Sequence, residues 1–549
     1  MALQRREFLK SAAAAATLTA GWRPQPLMAS SGTRPACPFR LLYSNDLTNT
    51  LSCVSPWHAK DQPFTPGMLQ ASVDEAQGVD VHMLQPGLCW VPLWKSETYP
   101  LAEHAAWLQE KYGLTPDPFA QSVLAGNDLL QVFVDRCRQQ GQAPFISFRL
   151  NDGHHKEWVN TPKGDYIATS AAQGITRFYA EHPEYRIGPD IKDWSERVWN
   201  WAIPEVRAHR LAYLRELCTQ YDIDGLELDF LRQYSLFDLK KTTADQRRQI
   251  MVEFVSDVRR LLNETAKAGQ RRWLCVRVPC YVDVFDALGI DLPAFWHAGV
   301  DMVNASSHYF TTQQQDLTSI REQVPEASLY FEMCHSTWNG ARLTEGYDSF
   351  EFRRTTKEQF LSTAHLAYAC GAQGVSLFNF AYFREHGGAG RGPFHEPPFE
   401  LLKVLRDPAA VSLQPQHWFI AQGWRGPGMK PTPIPKRLRS GQSATFVLDL
   451  APPGGVWHEG GRLRIQTQQS LGASLWQAKL NGVVLSPDTA VAEPYANPDP
   501  GLLGQPGELR AWRVPAAILR AGKNELTVTY VDQPNAQAVN IVFVDLAAH

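Results

Sequence analysis

The 549-residue chain carries almost no excess charge, since 53 Lys and Arg stand against 56 Asp and Glu for a net of -3. That balance removes the electrostatic case for a nucleic-acid partner or an anionic membrane. Its nine cysteines (Cys37, Cys53, Cys89, Cys137, Cys218, Cys275, Cys280, Cys334 and Cys370) are scattered, odd in number and never spaced as CxxC. A zinc ribbon, an iron–sulfur site and a dense disulfide framework are therefore excluded, though one or two bridges are compatible with the spacing. No run of 18 uninterrupted apolar residues is present, so no spanning helix is expected in the mature chain. No GxGxxG follows the first predicted strand, and no G-x-S-x-G elbow occurs, which removes the dinucleotide-binding and Ser-His-Asp hydrolase readings. What the chain does have is length for two domains, 44% apolar residues and an aromatic share of 11%.

From residue 39 to about 405, short apolar runs alternate with longer helical patterns. Runs 39–45, 79–85, 144–150, 223–230, 273–279, 302–308, 328–332 and 374–378 read as strands. Between them Leu, Val and Ala recur at three- and four-residue steps, for example over 196–220, 243–268 and 356–370, which is helical periodicity. Gly141, Gly269, Gly299 and Gly371 mark turns before the next strand. Eight strand-then-helix units predict a (β/α)8 TIM barrel rather than an open doubly wound sheet.

In a barrel one face of each strand meets the helices and the other points into the lumen. Leu226, Leu228 and Phe230 make one apolar face, which sends Glu227 and Asp229 inward. By the same parity Tyr330 and Glu332, Arg277, Arg149, and Asn304 with His308 point inward, while the first, second and eighth strands show no usable alternation. Five strands thus aim polar groups at one mouth, and buried charge costs several kcal/mol unless it is paired.

Glu227, Asp229 and Glu332 are the only carboxylates in that set, on the fourth and seventh strands, almost opposite each other. Glycosidic cleavage needs two carboxyl groups, roughly 5–5.5 Å apart for retention and 6.5–9.5 Å for inversion. Arg149, Arg277 and His308 are suited to hold one carboxylate ionised beside a protonated neighbour. Asp229 is preferred as the catalytic group because it lies nearer the strand end. Glu227 is a third candidate, equally suited to holding a sugar hydroxyl. The competing structural reading pairs Glu227 with Arg277 and Asp229 with Arg149 as ion pairs without chemistry. Trp90, Trp94, Trp158, Tyr309, Trp338, Tyr382 and Phe383 follow the strands and suit sugar rings, Tyr309 and Trp338 foremost. Neither His154-His155 nor the His386 and His395 pair has a recognised zincin spacing, so no metal and no cofactor is expected.

The segment 223–232, Ile-Asp-Gly-Leu-Glu-Leu-Asp-Phe-Leu-Arg, resembles the fourth-strand signature of bacterial glycoside-hydrolase-like barrel proteins, often described as similar to the family-ten xylanases. The stretch 371–380, Gly-Ala-Gln-Gly-Val-Ser-Leu-Phe-Asn-Phe, is similar to their eighth-strand segment. The resemblance implies a secreted hydrolase of poly- or oligosaccharides with Asp229 and Arg232 at motif positions. Two departures stand out: Glu227 replaces an uncharged polar residue or His, and the Asn-Glu-Pro of true xylanases is missing. The general barrel-hydrolase layout would make the fourth-strand acid the general acid/base and Glu332 the nucleophile. An Asp229 nucleophile with another acid, as in some α-galactosidase-like barrels, is the competing assignment. Residues 4–10, Gln-Arg-Arg-Glu-Phe-Leu-Lys, followed by an Ala-rich run, resemble a twin-arginine export signal over 1–29, which implies a periplasmic or secreted protein.

After a barrel at 39–405 and a Pro/Gly-rich linker at 406–440, short apolar runs at 444–450, 463–469, 475–480, 483–485, 526–530 and 539–544 predict an antiparallel β-sandwich of jelly-roll type over 441–549. Asn481-Gly482 is a hairpin turn signal. The stretch 514–526 resembles galactose-binding-like accessory modules, and Trp476 and Trp512 are candidate sugar contacts. The expected protein is an exported glycoside hydrolase. Its alternatives are a non-catalytic carbohydrate-binding barrel and a metal-dependent carbohydrate hydrolase or deacetylase.

Overall fold

A computed structural model describes residues 34–155, 170–338, 352–386, 394–423, 432–496, 505–532 and 537–548. Met1–Ala36 is a unit by itself, and the fold below is that of Cys37–His549. Residues 1–29, expected from the sequence to be an export signal, and Trp158 lie outside the described residues.

All eight predicted strands are present as β1 (Leu41–Asp46), β2 (Val81–Gln85), β3 (Ala143–Arg149), β4 (Gly225–Asp229), β5 (Trp273–Pro279), β6 (Met302–Ser306), β7 (Ser328–Cys334) and β8 (Gly374–Phe378). They pair in parallel in sequence order, and β8 closes on β1, which makes a closed barrel. Helices follow the strands, among them α1 (Pro204–Gln220), α2 (Ala244–Thr265) and α3 (Lys357–Ala369). The first begins eight residues later than its periodicity suggests because Pro204, with no N–H to donate, sits at the first helical turn. Thr243 and Thr356 start the other two with capping boxes to Gln246 and Gln359.

The lumen is stratified. Its lower layer is an apolar plug of Leu42, Val81, Met83, Phe145, Cys275, Met302 and Tyr330. Gly225 makes room for it, since a Cβ there would stand 2.6 Å from the Phe145 ring. The next residues inward along each strand are polar, and they form the layer described in the next section.

The C-terminal strands are β9 (Gln416–Ile420), β10 (Lys436–Leu438), β11 (Ser443–Leu450), β12 (Gly461–Thr467), β13 (Trp476–Leu480), β14 (Val483–Val484), β15 (Ser486–Asp488), β16 (Leu509–Val514), β17 (Gly522–Tyr530) and β18 (Val539–Ala548). One sheet runs β9-β18-β12-β16-β15 and the other β11-β17-β13-β14, and both share a core containing Phe446, Ile465, Trp512, Leu526 and Leu546. The long strands alternate between the sheets, as in a jelly roll. Two strands, β9 and β10, come from the stretch read as a linker; its prolines and glycines masked the short apolar run His417–Ile420. Trp476 stacks on Tyr530 at 4.6 Å and Trp512 is 1% exposed, so both are core residues rather than sugar contacts. All nine cysteines are free thiols. Among the described residues no helix is long and apolar enough to cross a membrane.

Candidate active site

The parity of β4, β5 and β7 brings three long polar side chains to one level of the lumen. Arg277 donates from Nε to both oxygens of Glu332 at 2.9 and 3.0 Å, from one terminal nitrogen to Glu332 at 2.5 Å, and from the other to Asp229 at 3.1 Å. A single guanidinium therefore holds carboxylates from opposite sides of the barrel, inside the roughly 9.5 Å limit of glycosidase pairs. Ser306 Oγ also donates to Glu332 at 2.7 Å, and Asn304 Nδ2 donates to Glu332 at 3.3 Å and Glu227 at 3.0 Å. Ser147 adds a 2.7 Å bond to Glu227. Burial pushes the Glu227 carboxyl up to about 7; Arg277 opposes this, and Glu332 and Asp229 add to it.

Asp229 differs from Glu332 in how its lone pairs are used. Its Oδ1 accepts the backbone N–H groups of Leu231 at 2.8 Å and Arg232 at 2.9 Å, while among the described residues Oδ2 accepts from Arg277 alone. A carboxylate has about four acceptor sites, so one remains open on Asp229 and those of Glu332 are occupied.

A second ring sits at the strand ends. Arg149 donates to Asp46 at 2.5 Å and to Asp152 at 2.7 Å. Burial would raise both acids, yet Arg149 and Arg232 beside Asp46, and His154 and Arg149 beside Asp152, hold them below the usual carboxylate range. Asn379 adopts φ 50° and clasps Asp46, donating at 3.1 Å and accepting from its N–H at 3.2 Å. His308, also left-handed at φ 63°, meets the Arg232 guanidinium at 3.1 Å. Burial first, then the charges of Arg232 and Arg277, keep its imidazole neutral. Arg232 lies 5.2 Å over the Tyr309 ring and also touches His154, whose Nδ1 is 2.5 Å from Asp152. Left-handed non-glycine residues are costly and concentrate at functional sites, and two of them bracket this mouth.

Asp229, Glu332, Glu227, Arg277, Asn304, Arg149, Arg232, His308 and Tyr309 thus belong to one connected assembly. The expected ion pairs are exchanged: Arg277 serves Asp229 and Glu332, and Arg149 serves Asp46 and Asp152. Asn304 is 0% and Arg277 1% exposed, and both donate to the carboxylates of this layer. Trp90, Trp94 and Phe383 are buried core residues; Trp90 donates to His155 and Trp94 to Glu216. Trp338 ends a short strand after β7, and its side chain lies outside the described residues. Sequence parity missed Asp46, Ser147, Ser306, Asp152 and Asn379. The first strand is buried throughout, which erases alternation, and the last two residues lie in loops. Among the described residues no cluster of three His, Cys, Asp or Glu is arranged to hold a metal ion.

No protein-family model matches the chain. A segment of 164 residues, 29% of the chain, is 29% identical to the 1,4-alpha-glucan branching enzyme GlgB of Methylobacillus flagellatus, of which it covers 20%. GlgB 2 of Xanthomonas campestris pv. campestris is 28% identical over 148 residues, 24% of this chain and 17% of its own length. The chain spans about a fifth of these curated relatives. Similar solved structures include alpha-L-fucosidase isoenzyme 1 from Paenibacillus thiaminolyticus, at 13% identity, 90% of this chain, 97% of that chain and a TM-score of 0.35. The glycoside hydrolase domain of PgaB (BpsB) from Bordetella bronchiseptica has 11% identity over 67% of this chain and 99% of its own, with a TM-score of 0.39.

Proposed function

We propose that the protein is an exported carbohydrate-active enzyme that cleaves glycosidic bonds of a poly- or oligosaccharide, with Asp229 as the reacting carboxylate. The observation that carries this reading is the convergence of Asp229 and Glu332 on Arg277 at the C-terminal end of the strands, where barrels place their chemistry. The local likeness to branching enzymes supports a glucan-type substrate and admits glycosyl transfer beside hydrolysis. The Arg5-Arg6 segment supports export by the twin-arginine route.

In this mechanism the two backbone N–H bonds and the Arg277 bond fix the Asp229 carboxylate, while its open lone pair faces the anomeric carbon. Glu332 has no acceptor site left from which to hand over a proton. It fixes and neutralises Arg277, and so acts on Asp229 through that cation. Of the two layouts that the sequence leaves open, these bonds favour an Asp229 nucleophile: its oxygen bonds the anomeric carbon as the glycosidic C–O bond breaks, and the departing oxygen takes its proton from water or from an acid other than Glu332.

A second reading, a carbohydrate-binding barrel without turnover, is favoured by burial: Asp229, Glu227 and Glu332 are 3%, 0% and 1% exposed. Purified full-length chain incubated with a broad glycan panel separates the two. Release of reducing ends, or a changed chain-length distribution, from at least one glycan is expected. Binding of a glycan by calorimetry with neither product overturns the enzyme in favour of the binder.

A further inference from the structure

The sandwich meets the barrel through its outermost strand, and the bonds made there lead to the mouth. Among the described strands β9 pairs with β18 alone, so the backbone groups of its other edge are left to side chains, Ser362 donating to the His417 carbonyl at 2.6 Å. Two consecutive glutamines from the loop after β6 fill that edge as an added strand would. Gln313 accepts from the N–H of Phe419 at 2.8 Å and donates to the carbonyl of His417 at 3.3 Å. Gln314 donates to the carbonyl of Phe419 at 3.0 Å and accepts from the N–H of Ala421 at 3.4 Å.

The same loop carries His308 and Tyr309, which hold Arg232. Between these and the glutamines stands Thr311, whose N–H donates to Ser336 at 2.8 Å and whose hydroxyl donates to the carbonyl of Cys334 at 2.7 Å. Cys334 is two residues past Glu332. A second tether reaches the partner of that segment: Phe352–Arg354 pairs with Ser336–Trp338, and Arg353 binds Glu493 of the sandwich at 3.0 Å. Glu493 is in turn bound by Arg464 at 3.1 Å, and Arg464 and His417 both bind Asp545. Arg353, Arg464 and Asp545 are at most 3% exposed, so the chain of charges is shielded from salt and tightly placed.

We propose that Gln313, Gln314 and the Arg353–Glu493 pair are positioning residues through which the sandwich holds residues 307–316 after β6 and the paired residues 336–338 and 352–354 after β7. The C-terminal domain is then part of the active-site scaffold and not an appended sugar-binding module. The kinetic arm of this inference rests on the proposed glycosidic activity, whereas its structural arm does not.

The test compares full-length Q313M/Q314M, the milder E493Q, and T445V on the far sheet as a control, by hydrogen exchange and by turnover of the panel glycan. Exchange in residues 307–316 and 334–338 is expected to rise about tenfold in both site variants, while exchange in β2 to β5 and the T445V profile stay unchanged. kcat is expected to fall about tenfold with KM altered less than threefold, and E493D is expected to recover most of the loss. Unchanged exchange at those two segments overturns the inference, as does equal loosening of the whole barrel. Altered exchange with unchanged kinetics also overturns the positioning role, whereas absence of turnover by the unsubstituted chain overturns the hydrolase reading and the kinetic arm alone, and exchange then decides the structural arm.

Discussion

Arg277 concentrates the energetics of the site. It is 1% exposed and joins two carboxylates that would otherwise stand buried and unpaired. Removing one partner of such a pair costs far more than the pair itself contributes. R277M is expected to lower unfolding stability by about 3–5 kcal/mol, read by urea denaturation. A loss no greater than that of an ordinary surface substitution would show that the network is not as buried as described. Glu227 supplies a pH signature. Its folded value of about 7 lies above the ordinary 4.5, so its stabilising protonated form is fully present below about 4.5 and lost as pH rises through 7. Stability should fall over that window, and E227Q should flatten the slope; an unchanged slope in E227Q would refute the assignment. Inward-facing Glu227, Asp229, Arg277 and Glu332 were legible because strand residues alternate with period two. Their partners were not legible. Which cation meets which acid depends on how far long side chains reach across the lumen, and Arg277 of β5 spans the intervening β6 to reach Glu332 of β7.

At the level of elements, β4 shows why the barrel can carry so polar a middle layer. Gly225 opens the lumen below Glu227, and the Phe145 ring fills the gap, sealing the polar groups from the lower end. G225A would place its Cβ 2.6 Å from that ring and from the Trp273 carbonyl oxygen. It should cost about 1–3 kcal/mol, the range of an overpacked core, measured as a shift in denaturant midpoint. No shift would mean the plug is looser than described. All eight barrel strands and the helical stretches beginning at residues 243 and 356 were visible in local sequence. Strand β9 was not, because a five-residue edge strand beside a proline-rich stretch reads as loop until its partner β18 is known.

For the molecule as a whole, barrel and sandwich share structure. Leu366 of α3 belongs to the hydrophobic core of the sandwich, and Gln313 and Gln314 complete its edge. The two domains should therefore unfold in one calorimetric transition, which L366D should split into two; separate transitions in the unsubstituted chain would contradict this. The domain order was legible from the change in periodicity near residue 405, whereas the contact between domains has no sequence signature. The central claim, that Asp229 reacts and Glu332 acts through Arg277, is tested most directly by turnover of one panel glycan with D229N and E332Q. D229N is expected to lose about 10⁴-fold in kcat with glycan affinity retained, and E332Q to lose less. Full activity of D229N, or E332Q as the more damaged of the two, would contradict it.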